Sequence, residues 1–141
     1  MMNRLELHRR AVELLGQEFV RHGFKVDAAE PETASQTFVV HKLTKHRVKV
    51  KSSRDFRYNY ILKKHMKPHG SLIVGFVHFV TGEDPHLYLI RSTEWLTPSD
   101  LLRSRDYPGL ASDPEYGLQL SRKNVPLLEQ YSFDRIVSTL Q

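Results

Sequence analysis

Hydrophobic and polar positions alternate along this chain with two different periods. In residues 4–22, Leu5, Val12, Leu15 and Phe19 recur near the helical period, and Ala11 and Leu14 widen the stripe. That pattern predicts an amphipathic helix, with His22-Gly23 as its C-terminal stop. A period of two then takes over. Residues 24–28 read as a first strand, QTFVVHKL (36–43) as a second and RVKVKSS (47–53) as a third. In the third strand Val48 and Val50 share one face, and Arg47, Lys49 and Lys51 share the other. AAEPETASQ (28–36), with Pro31 and small polar residues, reads as the loop between the first two.

RYNYILKKHM (57–66) predicts a short helix stopped by Pro68 and Gly70. SLIVGFVHF (71–79) is apolar on both faces, which suits a central strand covered on both sides. The turn GEDP (82–85) leads into a hairpin partner, HLYLIRS (86–92). Beyond Ser92 the pattern is helical or irregular. It gives a short helix capped by Thr97 or Ser99, a loop over 105–117 and an extended piece, GLQLS. A helix capped by Asn124 through Leu127, Leu128 and Tyr131 follows, then a last helical turn or two over 133–140. This order predicts an α/β or α+β domain: a mixed sheet of about five strands flanked by helices, with a helical C-terminal extension. At 141 residues one domain is expected, with its core over 4–92 and the extension over 93–141.

Charge changes this picture from fold to partner. Residues 1–69 carry 15 Lys/Arg against 7 Asp/Glu, and residues 70–141 carry 6 against 9. Within 41–69, Asp55 is the one acid among Lys42, Lys45, Arg47, Lys49, Lys51, Arg54, Arg57, Lys63, Lys64 and Lys67. Such a density repels itself unless solvent or a polyanion absorbs it. Nucleic acid, DNA first, is the leading expectation, because neutralising phosphates releases counterions. The plain alternative is a solvated basic face. The chain has no cysteine, which removes disulfides, thiolate zinc sites and cysteine nucleophiles. No apolar run approaches a membrane span and the first residues lack a signal-peptide core, so a cytoplasmic protein is expected. No Gly-rich phosphate loop or GxSxG motif occurs.

The helix, the Gly-Phe-Lys-Val strand entry (23–26), the second strand, the third strand ending in VKVKS (48–52), and the later apolar strand together resemble the restriction-endonuclease-like superfamily, the PD-(D/E)XK nucleases. The resemblance spans about residues 10–92 in element order. It implies metal-assisted phosphodiester hydrolysis. Two carboxylates hold Mg²⁺, one at the start of the second strand and one two residues before a lysine on the third, while the lysine positions the nucleophile or neutralises charge. Residue by residue, Lys51 matches that lysine. The position two before it is Lys49, and the second-strand acid falls near Gln36 or Thr37. Glu13, ahead of Glu18, matches the first-helix glutamate. The resemblance therefore implies a nuclease-like domain with a degenerate hydrolytic site. A migrated site is the alternative, in which Glu32, beside Pro31 in an acidic stretch with Asp27 and Glu30, joins Glu13 and Lys51 to hold Mg²⁺.

Three readings follow. In the first, Arg47, Lys49, Lys51, Arg54 and Arg57 contact phosphates, with Lys63, Lys64 and Lys67 extending the track. Eight neutralised phosphates give a log–log salt slope of about −7 on duplex DNA. The second is an active Mg²⁺-dependent endonuclease using Glu13, Glu32 and Lys51. The third is an interaction or assembly module, homodimeric through the Tyr- and Leu-bearing 106–141 segment. Phe56 and Tyr60 are expected to pack a helix onto the sheet, while Tyr58 suits either packing or stacking on a base. His78, in the apolar strand, is expected to be a hydrogen-bonded core histidine. Neither His65/His69 nor His41/His46 has acids or thiols nearby to complete a metal site.

Overall fold

A computed structural model of the protein describes residues 2–33 and 36–140, with the backbone alone for 29–33 and 36. Its first element, α1 (Arg4–Arg21), begins at Asn3, whose side chain accepts the Glu6 N–H at 2.9 Å. It ends in a Schellman motif. Gly23, at φ +87°, donates to the Val20 carbonyl, and Phe24 donates to that of Phe19. Leu7, Ala11, Leu15 and Phe19, four residues apart, form the buried stripe.

Five strands make the main sheet: β1 (Lys25–Thr33), β2 (Gln36–His41), β3 (Lys45–Arg54), β5 (Leu72–Phe79) and β6 (His86–Arg91). Their spatial order is β1-β2-β3-β5-β6, with β3 and β5 parallel and the other pairs antiparallel. The fold is therefore α+β with a mixed sheet, as the periodicities predict. β5 is buried at every position from Leu72 to His78, in keeping with its two-faced apolar sequence. At Gly75 α1 presses onto the sheet. A Cβ there would stand 2.9 Å from Leu15 Cδ1 and 3.2 Å from Val48 Cγ1, so any other residue would have to push these side chains aside.

Each face of the sheet carries a core. On one face Ala11, Leu15 and Phe19 of α1 pack on Phe38, Val40, Val48, Val50, Ile73 and Val77, joined by Phe133 and Val137 of α2 (Phe133–Val137) and by Leu140. The opposite face is covered by a second sheet, three antiparallel strands in the order β4-β8-β7. These are β4 (Tyr58–Leu62), β7 (Leu102–Arg105) and β8 (Glu115–Gln119). Its inward residues Ile61, Leu102 and Leu118 pack with Leu72, Val74, Phe76, Tyr88 and Ile90, and with Trp95, whose indole N–H donates to the Gly117 carbonyl at 2.9 Å.

This second sheet corrects several expectations. Residues 57–66 are not a helix but β4 followed by a single 3₁₀ turn, Lys63–His65. Tyr58, Tyr60 and Ile61 favour a pleated surface, and β8 supplies the ladder partner. The helix expected after Thr97 is absent. The Ser99 hydroxyl instead takes the N–H groups of Leu101 and Leu102 and turns the chain into β7. The Asn124 helix is a 3₁₀ segment, Val125–Tyr131. The stretch read as a loop at 28–33 continues β1 in its backbone. The extension thus contains two strands as well as helix. No helix among the described residues is long and apolar enough to cross a membrane.

Candidate nucleic-acid interface

Strand alternation settles which way β3 presents its charge. Val48 and Val50 enter the core beneath α1, so Arg47, Lys49 and Lys51 project from the other face. The second core, which fills that side over β5 and β6, contains no residue of β1, β2 or β3. β4 is the edge of the second sheet and borders the gap. Its Asn59, Tyr60 and Ile61 line a small cavity together with Lys51, Val74 and Phe76. The result is a step: β3 and β2 form the tread and β4 the riser. The cavity at its corner holds about 10 Å³, room for roughly one water. A ligand of this face must lie on the step, not inside it.

Among the described residues no ion pair engages Lys49 or Lys51. Burial lowers the pKa of both. Lys51 is lowered further by the Arg4 guanidinium, and Lys49 by Lys51 itself. Arg47 sits one step along the same face, and its guanidinium reaches the Ser71 hydroxyl at 3.5 Å.

The remaining cations divide. Arg54 alternates onto the face of Val48 and Val50, away from Lys51. Just beyond it the chain bends at Asp55, φ +48°. The Asp55 carbonyl accepts from His78 Nε2 at 2.5 Å, so His78, 1% exposed, is the bonded core histidine expected. Arg57 is exposed after the bend, and Lys67 is exposed before β5. Lys63 and Lys64 are already answered by acids of the C-terminal third. Lys63 Nζ lies 2.7 Å from both Asp106 Oδ1 and Ser104 Oγ, over the Tyr116 ring, and Lys64 Nζ lies 3.1 Å from Asp113 Oδ2.

Of the residues expected to hold Mg²⁺, Glu13 and Lys51 are described, and they lie on opposite sides of the main sheet. Glu13 pairs with Arg10 at 3.3 Å on the exposed side of α1, the helix that covers the face opposite Lys51. Glu18 pairs with Arg21 at 3.2 Å. Where a second-strand carboxylate is wanted, Thr37 Oγ1 accepts the Val50 N–H at 3.1 Å, just past the last β2–β3 pair, Phe38 with Val48. The Glu30 and Glu32 side chains lie outside the described residues. Among the described residues no three His, Asp or Glu side chains come together to hold a metal.

Sequence reasoning missed a second cluster, on the outward face of the second sheet. Tyr60, expected to pack inward, is 52% exposed. Tyr58 lies across Gly117, where a Cβ would collide with its ring, and its hydroxyl donates to Glu115. The Arg105 guanidinium stacks on the same ring, 4.4 Å from its centroid. Burial and the Glu115 bond push the Tyr58 phenol well above the usual range. The signal for this cluster is the period-two pair Tyr58/Tyr60, which a helical reading of 57–66 conceals.

Searched against models of known protein families, the chain matches none, and no curated protein is significantly similar to it in sequence.

Proposed function

We propose that this protein binds nucleic acid along the step formed by β3 and β4, as a nuclease-like domain that does not hydrolyse what it holds. One observation carries the reading. Lys49 and Lys51 stand side by side on one strand face, partly buried and partly desolvated, mutually repelling and, among the described residues, without an acid to pair them. A fold that tolerates this unfavourable pair gains from it only when anionic oxygens arrive. The lack of hydrolysis follows from the same places: a lysine and a threonine stand where metal-holding carboxylates are wanted, and the helix glutamate is on the far side of the sheet.

Arg47, Lys49 and Lys51 form the row, and the exposed Arg57 and Lys67 are counted with it. Lys63 and Lys64 contribute only once their acids are displaced. Five phosphates give a log–log salt slope of about −4.5 on duplex DNA. Fluorescence anisotropy of a labelled oligonucleotide across a salt series tests this. The expected result is salt-sensitive binding that the Lys49→Glu/Lys51→Glu variant abolishes. Binding without salt dependence, or unmoved by that variant, overturns the reading. Supercoiled plasmid incubated with the protein and Mg²⁺ or Mn²⁺ is expected to stay intact. Nicking lost on Lys51→Ala would refute the non-hydrolytic part.

Of the Leu and Tyr residues that suggested assembly through 106–141, Leu110 and Leu127 are exposed, and others are in the two cores. Leu118, Leu120, Leu128 and Tyr131 lie in one core, and Val137 and Leu140 in the other.

A further inference from the structure

We infer that the outward face of the β4-β8-β7 sheet stacks unpaired bases, so that the polyanion held on the β3 step is single-stranded or locally melted rather than intact duplex. This rests on the step reading above and adds a substrate class to it.

The argument begins with register. Ile61 enters the core and Asn59 lines the cavity, so alternation turns Tyr58 and Tyr60 outward. Their rings are stacked, centroids 6.5 Å apart and planes within 22°, so Tyr58 backs the exposed Tyr60 ring, which forms an aromatic shelf. The shelf is stiff. Tyr58 is fixed beneath by Gly117, at its hydroxyl by Glu115, and above by Arg105. Covered on both faces, Tyr58 has no free π surface of its own; it braces Tyr60, whose exposed ring is the surface a base can meet.

The charge around the shelf suits a nucleic-acid strand. The row across the sheet reads Tyr60, Gly117, Arg103, with Arg103 exposed at its far end. Arg105 lies one outward position further along β7. The one acid on these outward positions is Glu115, which is buried and already accepts from Tyr58. A base stacked on Tyr60 therefore has guanidinium groups within the same face for its phosphates, and no exposed strand carboxylate to repel them. The shelf also adjoins the step, because Tyr60 borders the same cavity as Lys51. Every base has a π face, so recognition of this kind is tolerant of sequence and needs the bases unpaired.

The test compares labelled oligothymidylate, oligouridylate and a duplex of equal length by anisotropy, using the full chain, Tyr60→Ala and Tyr60→Phe. Because Tyr60 is exposed, both variants are expected to melt as the parent does. The parent is expected to favour single strands over duplex. Tyr60→Ala is expected to weaken single-strand binding on the order of tenfold with the salt slope unchanged. Duplex binding is expected not to move, and Tyr60→Phe is expected to retain most of the affinity. The DNA and RNA arms separate the two sources of unpaired bases. Equal, salt-sensitive binding of single strand and duplex that ignores Tyr60→Ala overturns the shelf and leaves the step standing. No salt-sensitive binding of any oligonucleotide removes both. A concentration-dependent dimer lost in Tyr60→Ala overturns the shelf in favour of a self-interface.

Discussion

Replacing Lys51 with methionine is expected to make the protein more stable and a weaker ligand for nucleic acid. Lys49 and Lys51 are two residues apart on one strand face, about 6.7 Å along the chain. Their repulsion is about 2.5 kcal/mol at an effective dielectric of 20 and about 0.6 in water. Screening at physiological ionic strength cuts either figure to less than half. Relief of repulsion is therefore worth about 0.3–1 kcal/mol. Removing a partly desolvated ammonium adds to it in the same direction, and the thioether meets Ile61, Val74 and Phe76. A total near 1 kcal/mol is a rise of about 3 °C in melting temperature for a chain of this length. Circular-dichroism melts at low salt and at about 1 M salt measure it, and the gain should shrink as the Debye length falls to ~3 Å. Oligonucleotide titration of the same variant should show a salt slope shallower by about 0.9, one phosphate contact fewer. The two effects have opposite sign, which marks a residue kept for binding at a cost in stability. A melting temperature that drops by several degrees, or a salt slope equal to the parent's, would refute the reasoning, because either result means the ammonium has a structural partner.

Three other outcomes follow from the same geometry. Gly117→Ala drives a methyl group into the Tyr58 ring and strips the buried Glu115 carboxylate of its donor. Urea denaturation should record a loss of about 2–4 kcal/mol, and in a Tyr58→Ala background the same change should cost little. Asp106→Asn with Asp113→Asn releases Lys63 and Lys64. Nucleic-acid affinity should rise several-fold with a slope steeper by up to about 1.8, while stability falls by less than about 1 kcal/mol per pair. The pH dependence has two limbs. The folded-state pKa values of Lys49 and Lys51 lie below 10.5. Between those values and 10.5 the unfolded chain binds more protons, and stability rises with pH. Tyr58 is raised, and Tyr131 is pushed up to about 12 by burial and by Glu94. Above the ordinary phenol value of 10.0 the unfolded chain ionises first and stability falls. Urea midpoints should climb as pH rises toward about 10 and then decline. An equally steep climb in Lys51→Met would contradict the assignment.

The acidic excess of the C-terminal third has a structural meaning that its composition leaves open. Asp106 and Asp113 occupy Lys63 and Lys64 within the protomer, so the basic half is partly neutralised before any ligand arrives. Of the eight cations that a linear reading aligns, strand alternation turns Arg54 to the other face and ion pairs occupy two more. The predicted slope falls accordingly from about −7 to about −4.5.

What the sequence by itself determined was every element whose pattern is local. The i, i+4 stripe and the Gly23 stop define α1, the unbroken apolar run defines β5 and the turn at 82–85 its partner β6, and period-two alternation in β3 places Arg47, Lys49 and Lys51 together on one face. Only the tertiary structure decided the second sheet. A strand takes its hydrogen bonds from residues far along the chain, and Tyr58–Leu62 becomes β4 because 115–119 lies alongside it. Five residues have too little intrinsic preference to announce this. The same non-locality decided which lysines keep an open charge and which tyrosines face outward, since an ion pair or an exposed ring depends on what lies within a few ångströms. Composition counts charges, but proximity alone cancels them.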